Sequence, residues 1–175
     1  MFKKNFIIPS FFARTRRISY PRRVYFRLIC LLFMLGFSGC QTIPTLPPVD
    51  LTGPGWRIQQ GQVIWRNRKD APELTGELLV AGNPDGRSFV QFTKTPLPFI
   101  VAQTTSNSWQ IHFVPIDKTY SAHGNPPARL IWLYLPRCLA GAPPPKHWKQ
   151  ERLENDGFRF ENSATGELLE GYLNP

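Results

Sequence analysis

No acidic residue precedes Asp50 in this chain of 175 residues, whereas Lys3, Lys4, Arg14, Arg16, Arg17, Arg22, Arg23 and Arg27 all fall before Cys40. The formal net charge of +9 is therefore concentrated at one end. Bases and acids nearly balance after Cys40, so the charge pattern that would mark a nucleic-acid binder is absent from the rest, and no nucleic-acid partner is expected. Long hydrophobic runs are lacking too. Leu28 to Leu35, then Phe37, is about half of the roughly 20 apolar residues that a membrane-spanning helix requires. Cysteine is scarce, with Cys30, Cys40 and Cys138 only, which excludes a disulfide-stapled fold. No GxSxG, P-loop or paired metal-ligand spacing occurs, and His112, His123 and His147 stand singly. The expectation is a non-enzyme without cofactor or metal.

What is present at the start is a basic segment, a short apolar run and then small residues before a cysteine, the layout of an export signal. Phe37-Ser38-Gly39-Cys40 resembles a lipobox. That resemblance implies cleavage before Cys40, a diacylglycerol thioether on its sulfur, and residues 1–39 as a lipoprotein signal peptide. Arg22-Arg23-Val24-Tyr25-Phe26-Arg27 is similar to a twin-arginine motif, which leaves the Sec and twin-arginine routes both open. Gln41, where some bacteria place a retention aspartate, resembles the signal for transfer to the outer membrane. The expected location is the periplasmic face of that membrane, with the chain lipid-anchored through Cys40 and otherwise monomeric. With Cys40 acylated, Cys138 is the one remaining thiol, and its neighbours Leu135 and Leu139 suggest a core position.

Residues 40–55 carry prolines at 44, 47, 48 and 54 with almost no charge, the composition of a semi-rigid tether. Residues 56–175 form one domain large enough for a single core. Its apolar pattern has mostly period two. In Ser108 to Val114, Trp109, Ile111 and Phe113 share one face, and Gln110 and His112 the other. Similar runs lie at Gly61–Arg66, Thr75–Ala81, Arg87–Thr93, Phe99–Thr104, Trp148–Leu153, FRFEN and LLEGYL. Between them stand Asn83-Pro84-Asp85-Gly86, Pro96-Leu97-Pro98, Thr105-Ser106-Asn107, Asn155-Asp156-Gly157 and Ala164-Thr165-Gly166, all turn-forming. Loops this short require antiparallel neighbours. Pro127 to Gly141 departs from alternation. Leu130, Ile131, Tyr134, Leu135, Cys138 and Leu139 follow helical spacing, and Pro136 predicts a kink there or two short helices. The fold class expected is mainly β with short helices, a curved antiparallel sheet or incomplete β-barrel holding a kinked helical plug.

Thr95-Pro96-Leu97-Pro98 before a strand, a turn and Trp109-Gln110-Ile111 resembles the strand pair of the LolA/LolB-like lipoprotein carriers. Tyr120-Ser121-Ala122, then Leu135-Pro136, Leu139-Ala140-Gly141-Ala142-Pro143-Pro144 and Trp148, is similar to the helical insertion and loop of the LolB branch. The resemblance implies a half-barrel that holds lipid or lipoprotein acyl chains, with a part in sorting lipoproteins to the outer membrane. From the alternation itself, Trp65, Phe92, Trp109, Ile111, Phe113, Trp132 and Phe160 are the inner-face residues that would line such a cavity. The alternative is a structural or docking lipoprotein of an envelope assembly in which the same side chains fill a closed core.

Overall fold

The computed structural model describes residues 45–154 and 156–174. The leader, Cys40, the start of the tether and Asn155 of one expected turn lie outside the described residues. Nine strands occur among them: β1 (Arg57–Arg66), β2 (Leu74–Gly82), β3 (Ser88–Lys94), β4 (Leu97–Thr104), β5 (Ser108–Phe113), β6 (Lys118–His123), β7 (Trp148–Arg152), β8 (Gly157–Asn162) and β9 (Leu168–Asn174). They form one open antiparallel sheet in the order β6-β5-β4-β3-β2-β1-β9-β8-β7, so β9 returns to pair with β1 and lies inside the sheet, not at its edge. The protein is mainly β, as its alternating pattern and short turns require.

Register explains why one face is apolar. Phe113 lies opposite Ile100, Ile100 opposite Phe92, Phe92 opposite Leu78, and Leu78 opposite Gly61, which in turn faces Leu173. Because side chains alternate, a match at one pair carries along the whole row. A second row passes from Trp65 to Leu169 and Phe160. Phe92, Ile100, Ile111, Phe160 and Leu169 are fully buried on this face, joined in one core cluster by Trp132, Leu133 and Cys138.

Several boundaries differ from the sequence reading. The expected breaker Pro96-Leu97-Pro98 is a two-residue turn at Thr95-Pro96, and Leu97 and Pro98 already belong to β4. Strand β6 carries Thr119, Tyr120, Ser121 and Ala122 and was not among the expected strands. Only Ser121 and Ala122 of its residues are half-buried, too little apolar alternation to announce it. Pairing with β5 forms it instead.

The kinked helical plug is not shown. Residues 127–141 contain a 3-10 turn at Ile131–Leu133 and a five-residue helix, α1 (Leu135–Leu139), with Pro136 in its first turn. A proline is tolerated there because the N–H it lacks has no helical partner at that position. Gly141 follows the helix with φ 101° and donates its N–H to the Cys138 carbonyl at 3.0 Å, so the expected exit residue is in place. Ile131, Trp132, Leu133, Leu135 and Cys138 are all buried. Burial raises the pKa of the Cys138 thiol, against a smaller lowering by Arg137, which disfavours its thiolate form.

The described part of the tether does not hang free. The Leu46 N–H donates to Gln110 Oε1 at 2.7 Å and its carbonyl accepts from Gln103 Nε2 at 3.4 Å. Further on, Asn83 Nδ2 donates to the Pro54 carbonyl and Arg87 lies over the Trp56 ring, 5.3 Å from its centroid. Proline composition predicts extension but cannot reveal that paired glutamines on β4 and β5 bind the extended backbone.

Candidate functional site

An apolar cleft of about 480 Å³ opens at one end of the sheet. Trp65, at the end of β1, and Trp132, in the 3-10 turn, are its most buried residues. Their rings meet edge to face at 5.6 Å, and Trp132 stacks on Phe92 at 5.5 Å. Phe99 of β4, Phe113 of β5, Pro115, Ile116 and Tyr120 of β6 form one wall. Ile116 is 62% exposed and Tyr120 45%, so this wall is an apolar lip open to solvent. Arg129 and Leu130 form another side. That segment is held by the Trp148 indole N–H, which donates to the Ala128 carbonyl at 2.9 Å, and by the Tyr134 hydroxyl, which donates to the Pro126 carbonyl.

The remaining wall is polar and comes from Asn67 and the β8–β9 turn. Asn162 is buried, and its Oδ1 accepts the N–H groups of Ala164 and Thr165. Gly166 takes φ 71°, a conformation that glycine adopts without a Cβ penalty. Its N–H then reaches the Asn162 carbonyl at 2.8 Å. This fixed turn delivers Thr165 and Glu167 to the cleft. Trp65 Nε1 donates to Glu167 Oε1 at 2.9 Å. Burial pushes the Glu167 carboxyl up to about 7, against a smaller downward effect of the Trp65 hydrogen bond. A carboxyl that lines an apolar cleft loses hydration that a single indole donor does not replace.

The seven inner-face residues separate into two groups. Trp65, Phe113 and Trp132 line the cleft. Phe92, Trp109, Ile111 and Phe160 lie in the core cluster and are not part of the cleft wall; a period-two pattern marks the inner face without marking its edge. Sequence reasoning missed Phe99, Ile116, Tyr120, Leu130 and above all Glu167, which reads as one more turn acid until the fold sets it against Trp65. Among the histidines, His112 lies 3.3 Å from Asp117 and His123 Nδ1 lies 2.9 Å from Ser108 Oγ, both exposed contacts. Among the described residues no group of His, Cys, Asp and Glu is placed to hold a metal ion, and no helix is long and apolar enough to cross a membrane.

No protein-family model matches the chain, and no curated protein matches it either. The likeness to lipoprotein carriers thus rests on the sequence motifs alone, and the cleft must be read from its own chemistry.

Proposed function

We propose that the protein is a bacterial lipoprotein, anchored through Cys40 to the inner leaflet of the outer membrane, that holds acyl chains of a lipid or another lipoprotein in this cleft, in the manner of the LolA/LolB-like carriers. The observation that carries the reading is an open apolar cleft walled by Trp65, Phe99, Phe113, Ile116, Leu130 and Trp132. Each methylene removed from water there would contribute about 0.8 kcal/mol, enough to bind a chain without catalytic groups.

Glycine placement supports a sheet that coils about its apolar face as a half-barrel, with Ile131–Leu133 and α1 as its cap. A Cβ on Gly61 would come 1.8 Å from the Tyr172 carbonyl oxygen, one on Gly171 2.2 Å from that of Gln62, and one on Gly76 2.3 Å from that of Thr93. Glycine is thus required where a neighbouring strand's carbonyl leaves no room for a Cβ, and a bend at a barrel corner is one such place. The exposed lip offers a way in for a chain arriving from another carrier.

Two experiments test the reading. Because Trp65 and Trp132 border the cleft, titrating the purified protein with monomyristoylglycerol or with myristate should, for at least one of the two, change tryptophan emission and raise the melting temperature in step with occupancy. Titrations in which neither lipid moves either signal remove the acyl-chain reading. For the anchor, Cys40→Ser should leave a longer, unlipidated precursor that no longer fractionates with the outer membrane; normal incorporation of a fatty-acid analogue by that variant would refute lipidation at Cys40. The anchor needs no second protein signal, since more than one acyl chain suffices for stable membrane attachment.

A further inference from the structure

The cleft is not apolar all round, and its polar wall constrains the head group of whatever chain it holds. Asn67 and Thr165 are exposed residues of its lining, and Glu167 lines it while accepting a hydrogen bond from Trp65. We infer that the ligand is an acyl lipid whose head is uncharged and offers a hydrogen-bond donor, such as a glycerol hydroxyl or an amide N–H, rather than a free fatty acid. This inference rests on the acyl-chain reading above.

Among the described residues, Trp65 Nε1 is the donor to the Glu167 carboxyl, through Oε1. A carboxylate has room for about four donors, so Trp65 uses only part of the acceptor capacity of a side chain that lines the cleft. A chain seated against Phe99 and Phe113 would cover this carboxyl and strip more of its water. Without a donor from the ligand, that burial opposes binding. A hydroxyl or amide N–H at the head replaces the lost water, whereas a second carboxylate meets like charge in a poorly hydrated site. Arg129, the cationic group of the cleft, is exposed and makes no ion pair with Glu167 among the described residues. It therefore does not neutralise the carboxylate for an incoming anion.

The test compares monomyristoylglycerol with myristate on the purified protein at about pH 8, where Glu167, raised to about 7, is mostly ionised. The glycerol ester should bind at least about tenfold more tightly, the effect of one charge-assisted hydrogen bond. Glu167→Gln keeps an acceptor oxygen without the charge, so it should retain the glycerol ester and admit myristate. Equal affinities in the wild-type protein, or a preference for myristate that Arg129→Gln abolishes, would overturn the head-group inference while leaving the acyl-chain cleft standing. Binding of neither probe would remove the acyl-chain reading and this inference together.

Discussion

Phe92→Ala is expected to cost about 3–5 kcal/mol of folding stability, whereas Phe113→Ala should cost much less and instead weaken acyl-chain binding. Phe92 is fully buried at the centre of the sheet, opposite Leu78 on one side and Ile100 on the other. Its ring contacts Trp65, Phe99 and Trp132, with centroids 6.2, 6.0 and 5.5 Å away. Truncation leaves a cavity that these rigid rings cannot close. Phe113 is only half-buried and already borders open space, so its removal widens the cleft and leaves no sealed void. Ile111→Ala belongs with Phe92, since Ile111 is fully buried and away from the cleft wall. Denaturant titration of the three variants, with monomyristoylglycerol binding measured on each, separates the two groups. Equal stability losses at Phe92 and Phe113 would show the cleft to be packed shut.

Glu167→Gln is expected to make the protein more stable than wild type above neutral pH and to flatten its stability profile across the acidic range. In the folded protein the Glu167 carboxyl is raised from 4.5 to about 7, so the folded state holds the proton more tightly than the unfolded chain. Its contribution is fully present below about 4.5, is lost as pH rises toward 7, and is replaced above that by the penalty of an ionised group in an apolar wall. The interval between 4.5 and about 7 sets an upper limit of about 3 kcal/mol, reduced because the side chain is partly solvated. Glutamine retains an acceptor for the Trp65 indole and never ionises. Melting curves from acid to alkaline pH check this, and parallel wild-type and variant profiles would show that Glu167 is well hydrated.

The fold was more legible than the site, for a physical reason. Alternation across Trp109, Ile111 and Phe113 reports which face of β5 is buried, and turn chemistry at Asn83–Gly86 and Ala164–Gly166 reports where strands reverse. Those signals are local. Strand β6 lacked them, because its exposed Lys118, Thr119 and Tyr120 are organised by hydrogen bonds to β5 rather than by burial. Pro136 was legible as an interruption, and a short helix that begins at Leu135, just after the 3-10 turn, follows from a proline that fits only a helix's first turn. The cleft depends on residues far apart in sequence. Trp65 and Glu167 are 102 positions apart and meet because β9 pairs with β1, a pairing that no local pattern announces. The docking of Leu46 on Gln103 and Gln110 was hidden in the same way.

A second groove, of about 570 Å³, runs beside Ile64, Thr75, Leu153 and Tyr172, with Gln62, Glu154 and Glu170 along it. Ile64, Leu153 and Tyr172 are exposed, with Ile64 on the face of β1 away from Trp65, and the groove offers the most direct competitor for a lipid. A photoactivatable monoacylglycerol with its diazirine on the chain, irradiated on the purified protein and mapped by peptide mass spectrometry, decides between them. The proposed function predicts crosslinks at Phe99, Phe113, Ile116 or Leu130, diminished by competing monomyristoylglycerol. Crosslinks confined to Ile64, Leu153 or Tyr172, or none above background, would contradict it.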